Sequence, residues 1–291
     1  MPGHVDIGPR QVGAGEPCFV VAELGANFNG DVHLCLRMID AAHAAGADAV
    51  KLQKRDPSML CIPAQQRNQP KDSPWGILSY ADYRRRLELD ASGYDIIATH
   101  CRYRGIPWFA SAWDEPSVDF LMKYDPSCLK VPSACLTDLS LLHAMRRTGR
   151  PIIASTGMSD EAQIASAVAI LGPDRLVLLH CVSTYPAPVE TLNLLCIPWL
   201  RERFQIPVGY SGHETGISTS LCAVVLGASV LERHFTTDRT LFGTDQAASL
   251  EPRGFATLVR DVRKWERARG TGIKTVSDAE RAVLHKLRRF P

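Results

Sequence analysis

The chain has 291 residues, 45% of them hydrophobic, and 33 basic side chains against 31 acidic ones. That balance argues against a surface for nucleic acid or an anionic membrane, so the expected partners are small molecules or proteins, with no nucleic acid and no membrane. Nine cysteines stand singly without a CxxC pair, which points to reduced thiols in a cytoplasmic protein rather than to a disulfide framework.

In chain order, the opening "MPGHVDIGPR" lacks the basic-then-apolar pattern of a leader, and no run reaches the roughly 18 apolar residues of a spanning helix. The first strand is expected at "FVVAEL" from Phe19. A helix follows in "DVHLCLRMIDAAHAAG", with Asp31 as N-cap and Gly46 as the stop. The second strand is "AVKLQK" from Ala49, reached through a "GADAVK" joint that "GASVLE" echoes later. After it, Arg55 to Tyr80 reads as one long irregular insertion, and loops of that length tend to be functional lids. Strands three to five are "PWFASAW" from Pro107, "CLKVPS" from Cys128 and "PIIASTG" from Pro151. The helix "SDEAQIASAVAILG" is expected to be capped by Ser159 and closed by Gly172. "LVLLHCVS" from Leu176, "PVGYSG" from Pro207 and "SVLERHFT" from Ser229 complete the set, and the basic "ERAVLHKLRRF" reads as a solvated helix end. Cys18, Cys35, Cys181 and Cys222 fall in apolar runs and are expected to behave as small hydrophobes.

Short apolar strands alternating with amphipathic helices over about 250 residues are the signature of a (β/α)8 TIM barrel. An open doubly wound sheet is the alternative, but no strand leads into a GxGxxG phosphate loop. The expected organisation is one α/β domain, with the barrel over about 18–265 and a helical tail over about 276–291.

In such a barrel the chemistry sits at the C-terminal strand ends. Polar residues collect there: Glu23, Lys51, Gln53, Ser111, Lys130, Ser133, Ser155, Thr156, Ser183, Tyr185, Ser211, His213 and His234. Two lysines among strand-end hydroxyls suit a dianion such as phosphate, the lysines giving charge and the hydroxyls direction. The competing reading pairs them with structural carboxylates, and Glu23 next to Lys51 is the obvious pair. Glu23 is also placed to act as a base. His213 and His234 end neighbouring strands, so their imidazoles can converge on a divalent metal with positions left for water and substrate; packing histidines are the alternative. His180 reads as a core residue, and Cys135 and Cys181 as inert thiols.

The segments "VAELGANFNGD", "AGADAVKLQK", "LKVPSA", "IIASTGM", "LLHCVSTYPAP", "VGYSGHE" and "LERHFTTDRTLFGTDQAASLEP" stand in the order found in the sialic acid synthase family, and the chain resembles that family from about Cys18 to Lys264. The resemblance implies a TIM barrel that condenses phosphoenolpyruvate with the aldehyde of an open-chain sugar and releases phosphate. It implies a divalent metal, usually Mn2+ or Mg2+ with Co2+ or Zn2+ as alternatives, on His213 and His234. Lys51, Ser111, Lys130, Ser133, Ser155 and Ser211 match the family's phosphoenolpyruvate contacts, and Ser183 lies in the same pocket. Gln53, Tyr185 and Asp245 match its sugar side, and Glu23 its catalytic glutamate. A homo-oligomer is the family expectation.

The chain also departs from the family pattern. It reads Asn27-Phe28-Asn29-Gly30 where Asn-His-Asn-Gly is common, Cys135 where an acidic residue is common, and Ser183 where asparagine is common. No C-terminal antifreeze-like domain is expected, which shifts sugar recognition onto the barrel loops, the Arg55–Tyr80 insertion first. The acceptor is left open among N-acetylmannosamine, a related hexose and a sugar phosphate. Two rivals are a Schiff-base aldolase on Lys51 or Lys130 and a catalytically inactive binding barrel.

Overall fold

The computed structural model describes residues 3–56, 58 and 64–290. Eight parallel strands close into a barrel: β1 (Phe19–Gly25), β2 (Ala49–Lys54), β3 (Trp108–Ala112), β4 (Leu129–Val131), β5 (Ile152–Ser155), β6 (Leu176–Cys181), β7 (Val208–Gly212) and β8 (Val230–His234). All eight expected strands are present. Each neighbour in sequence is a neighbour in space, and β8 pairs with β1 in register from Val230↔Phe19 to His234↔Glu23.

One main helix follows each strand: α1 (Val32–Ala44), α2 (Ala91–Arg104), α3 (Glu115–Met122), α4 (Leu139–Arg147), α5 (Glu161–Leu171), α6 (Cys196–Phe204), α7 (Ser218–Val225) and α8 (Pro252–Ala268). Asp31 caps α1 as expected, its carboxylate accepting from His33 and Leu34 N–H. At α5 the cap is Asp160, not Ser159, because Asp160 and Gln163 form a reciprocal capping box. Gly46 and Gly227, in the two echoed joints, both take positive φ (88° and 98°), the conformation that glycine adopts without steric cost.

Strand alternation splits the core into two shells. Outward residues pack under the helices in one large cluster that includes Val20, Ala22, Leu24, Val50 and Leu52. Inward residues Phe19, Val21, Ala49, Phe109, Ile153, Val177, Leu179 and Val230 fill the lower barrel. A short hairpin (Val5–Ile7 with Arg10–Val12), which the sequence reading did not foresee, seals the bottom with Val5, Ile7 and Val12. Each such side chain, fully buried, contributes about 1.5–3 kcal/mol. The lower layers therefore carry stability, and the inward positions above them are free to be polar.

The insertion after β2 is more ordered than expected. It holds a one-turn helix (Ala64–Arg67), a hairpin of Pro70–Lys71 with Leu78–Ser79, and a helix over Tyr80–Leu87 capped by Ser79. Residues 57 and 59–63 of it lie outside the described residues. Its second helix packs over the barrel mouth, with Tyr83 edge-on to Phe242 at 6.0 Å. Gly30 makes that approach possible: it has φ +72°, and a Cβ there would stand 2.3 Å from the Arg86 carbonyl oxygen. A further helix, Asp278–Leu287, follows α8 near the end of the chain.

Candidate active site

The inward row of each strand runs from apolar at the base to polar at the top. On β1 it reads Phe19, Val21, Glu23; on β2 Ala49, Lys51, Gln53; on β8 Val230, Glu232, His234. At the top the rows enclose a cavity lined by Glu23, Lys51, Gln53, Ser111, Lys130, Ser133, Ser155, Tyr185, Ser211, His213 and His234, together with Trp113, Pro132, Cys181 and Glu232. The cavity is small, about 70 Å³, below the roughly 300–1,000 Å³ of sites for drug-sized ligands. Of the expected site residues, Ser183 and Asp245 do not line this cavity. Ser183 sits one bond away, its hydroxyl 2.9 Å from that of Ser133. The Asp245 carboxylate is 3.9 Å from His234 Nδ1.

The two lysines differ in their partners. Lys51 Nζ lies 2.7 Å from Glu23 Oε2 and 3.5 Å from Glu232 Oε1, and donates to Ser111 at 3.0 Å. Burial alone would lower its pKa, but the two carboxylates outweigh that and raise it. Lys130 Nζ donates to Ser155 Oγ at 2.5 Å and to the Val131 carbonyl at 2.8 Å. Among the described residues no carboxylate comes within ion-pairing distance of it. Burial lowers its pKa, Glu232 opposes this at longer range, and Lys51 as a like charge adds to the lowering. Lys130 is thus a buried cation with hydroxyl and carbonyl partners only, as a site that receives an anion requires.

Glu23 is held from two sides, by Lys51 and by Gln53 Nε2 at 2.9 Å. A register shift between Glu23 and Gly25, where Gly25 takes φ +54°, turns the chain just beyond the carboxylate. Glu232 was missed in the sequence reading. It accepts from Ser211 Oγ at 3.0 Å and lies beside Lys51. Burial favours its neutral form, yet Lys51, Lys130 and His234 hold it well below the usual carboxylate range. Counting back two residues from His234 along the strand would have found it.

The histidine rings sit 5.5 Å apart, centroid to centroid, with the Tyr185 ring 4.2 Å from His213 and 5.7 Å from His234. His213 Nδ1 is 2.7 Å from the Val182 carbonyl, so it carries the proton and leaves Nε2 as a lone-pair donor facing the cavity side. Burial, then the neighbouring His234, pushes the His213 pKa down to about 4, and the imidazole is neutral at pH 7. His234 Nδ1 is buried without a hydrogen-bond partner. Among the described residues no group of three or more His, Cys, Asp or Glu is arranged to hold a metal. A neutral His213 beside His234, whose Nδ1 is orphaned and buried, fits a divalent ion whose remaining ligands come from water or substrate.

Other expectations resolve simply. His180 is buried, with Nε2 2.7 Å from the Leu192 carbonyl, and serves packing. Thr156 turns its hydroxyl to the Leu179 carbonyl at 3.1 Å. Cys181 lines the cavity, but burial raises its pKa and leaves a thiol. Cys222 is exposed rather than packed, because α7 turns Ser220, Ala223 and Val224 inward. Phe28, in the place of the family's histidine, is buried in the core. The asparagines beside it tie the β1 loop to the β8 loop: Asn27 Nδ2 donates to the Phe235 carbonyl at 2.9 Å and Asn29 Nδ2 to that of Phe242 at 2.8 Å.

Beneath the histidines lies a buried ion pair. Arg233 Nη1 is 3.1 Å from Glu214 Oε1, both side chains fully buried, and Tyr210, Thr219 and Ser220 complete the carboxylate's hydrogen bonds. Glu214 follows His213 and Arg233 precedes His234, so the pair anchors both histidine-bearing segments. Removing one partner strands a buried charge, and Glu214→Gln or Arg233→Met is expected to cost about 3–5 kcal/mol, read from chemical denaturation. Burial raises the Glu214 pKa, but Arg233 and the hydrogen bonds overcome this and lower it. Its stabilisation is therefore present above the unfolded carboxylate pKa of about 4.3 and is lost as pH falls through the lower folded value. The gap between wild type and Glu214→Gln is expected to narrow over that acid range.

With this geometry in hand, comparison with known proteins is direct. The NeuB family profile matches residues 38–274. Over 292 residues the chain is 38% identical to the N-acetylneuraminate-9-phosphate synthase of Mus musculus, across 99% of this chain and 81% of that protein. It is 36% identical to the N,N'-diacetyllegionaminic acid synthase of Legionella pneumophila, across 97% of this chain and 81% of that one. The crystal structure of N-acetylneuraminic acid (sialic acid) synthetase from Leptospira borgpetersenii, in complex with citrate, superposes with a TM-score of 0.87 at 30% identity, covering 100% of this chain and 99% of that one.

Proposed function

Because the chain belongs to the NeuB family, we propose that it condenses phosphoenolpyruvate with an aldose, in a metal-dependent reaction, to give a 3-deoxy-2-keto sugar acid of the nonulosonic type and inorganic phosphate. The observation that carries this reading is Lys130, a buried cation bonded to one hydroxyl and one carbonyl with no carboxylate within ion-pairing distance among the described residues, in one cavity with the imidazoles of His213 and His234. The whole chain is taken as one barrel synthase unit acting in the cytoplasm as a homo-oligomer. Among its described residues no helix is long and apolar enough to cross a membrane.

In this reading Lys51 and Lys130 take the phosphate of phosphoenolpyruvate, with Ser111, Ser133, Ser155, Ser183 and Ser211 as directional donors. Gln53, Tyr185 and Asp245 face the sugar. His213 and His234 hold the divalent metal, Mn2+ or Mg2+, which when bound supplies Lewis-acid polarisation of the aldehyde. Carbon 3 of phosphoenolpyruvate then bonds to the aldehyde carbon, and positive character develops at carbon 2. Glu23 takes a proton from the water that adds there. The tetrahedral adduct collapses to the ketone by breaking its C–O bond, and Lys51 and Lys130 stabilise the departing phosphate. Glu232, fixed between Lys51 and Ser211, keeps Lys51 in position and charged.

The test is a set of aldoses and N-acylated hexosamines, each incubated with phosphoenolpyruvate, reading phosphate and product mass. Phosphate release is expected only when an aldose is present, is abolished by a chelator, and returns with Mn2+ or Mg2+. Absence of a keto-acid adduct with every aldose and metal overturns the synthase reading. The lowered pKa of Lys130 also favours a Schiff-base aldolase as second reading; covalent labelling by borohydride with pyruvate, insensitive to chelator, would establish that instead.

A further inference from the structure

Helix α2 is fixed on its inner side and unpartnered on its outer side. Inside, Tyr94, Ile97 and Cys101 are buried, and the Tyr94 hydroxyl donates to the Gln53 carbonyl at 3.0 Å. Outside, Ile96 is 44% exposed and Tyr103 81%, more than any other large apolar side chain among the described residues. These two lie on one stripe, seven residues apart, with exposed Thr99 between them. With Asp95, His100 and Leu36 of α1 they line a groove of about 540 Å³ in the outer wall of the barrel.

The charges on this face form a pair that does not meet within one copy. Asp95 and Arg102 also stand seven residues apart, along one flank of the apolar stripe, a span of two turns or about 10.5 Å. Both are exposed, and neither has an ionic partner among the described residues; Asp95 meets the neutral hydroxyl of Tyr124. On the opposite flank the charges are already compensated: Asp40 of α1 lies 2.6 Å from His100 Nε2 and 2.7 Å from Arg104 Nε. With exposed Arg37 of α1 counted as well, the face carries one net positive charge, too little to keep two copies apart at physiological salt.

We propose that this face pairs two copies of the chain, α2 lying antiparallel to the α2 of its partner about a twofold axis between Ala98 and Thr99. An axis at that point sets each Asp95 opposite the partner's Arg102, twice per dimer, because the two residues are equidistant from it and share a flank. It also brings each Ile96 against the partner's Tyr103, and the two Thr99 side chains meet at the centre. The face is self-complementary in charge and in apolar surface, as a twofold contact requires. Because buried residues hold α2 from within, little order is lost on pairing. A contact built mainly on two helices is at the small end of stable interfaces, so its Kd is expected on the order of micromolar.

The test is sedimentation velocity over a concentration series spanning the micromolar range, on the wild type, Asp95→Arg, Arg102→Asp and the double variant. Leu195→Ala, at the exposed start of α6, serves as the control. The wild type is expected to dimerise. Either single charge reversal sets like charges face to face at both ends of the contact and is expected to raise Kd at least about tenfold. The double variant restores opposite charges and is expected to return to within about threefold of the wild type, with Leu195→Ala unchanged. All the substituted side chains are exposed, so the melting temperatures are expected to stay together. A wild type that remains monomeric across the series, single reversals that dimerise as tightly as the wild type, a double variant as weak as the singles, or loss of the dimer in Leu195→Ala would each overturn the α2 pairing. Catalysis enters none of these readouts, so the outcome is independent of the synthase reading.

Discussion

Replacing Lys130 with methionine is expected to lower kcat/KM by about 10²–10³-fold while leaving the protein at least as stable as the wild type. The two halves of that expectation share one cause. Lys130 is buried, and burial with Lys51 lowers its pKa, while Glu232, beyond ion-pairing distance, offsets this only in part. In the empty protein its charge is a burden, and an apolar side chain of similar length removes the burden without opening a cavity. In turnover the same charge meets the phosphate of phosphoenolpyruvate, where its value is greatest because water is excluded. A purely structural lysine gives the opposite pattern, with stability lost and activity falling only as the fold fails. Lys51 is the internal contrast: it is tied to Glu23 and Glu232, so its removal strands two carboxylates and is expected to destabilise as well as inactivate.

His213→Ala is expected to abolish turnover, by at least about a hundredfold, and to remove the response to divalent metal with it. The fold is expected to survive. The substitution forfeits one hydrogen bond to the Val182 carbonyl, worth about 1 kcal/mol, and leaves the Glu214–Arg233 anchor beneath it intact. Binding can be read without turnover, since a ligand that binds only the folded state raises the melting temperature. Mn2+ is expected to raise the melting temperature of the wild type and to leave that of His213→Ala unchanged. An equal rise in both would place the metal elsewhere.

The architecture was legible in the sequence because buried parallel strands are short, apolar and bounded by turn residues, and here all eight met that description. The site was legible because one physical rule, that barrel chemistry gathers at C-terminal strand ends, selected Glu23, Lys51, Lys130, Ser211, His213 and His234 from among many polar residues, and the structure brings them to one cavity. What escaped depended on tertiary context. Glu232 hid behind the more conspicuous His234 although it shares its inward row. The N-terminal hairpin was missed because three-residue strands have too few positions to show alternation, and they form only where the open barrel base offers apolar surface. The cap of α5 moved by one residue because Asp160, not Ser159, has Gln163 three positions on to complete the box.

The most direct measurement of the central claim uses phosphoenolpyruvate carrying 18O in the bridging C–O–P position, incubated with the enzyme, Mn2+ and an accepted aldose. The account expects a product whose mass equals the sum of aldose and pyruvate, with all of the label in the inorganic phosphate, because the C–O bond breaks. Label retained in the organic product, or phosphate released without the adduct, would contradict it.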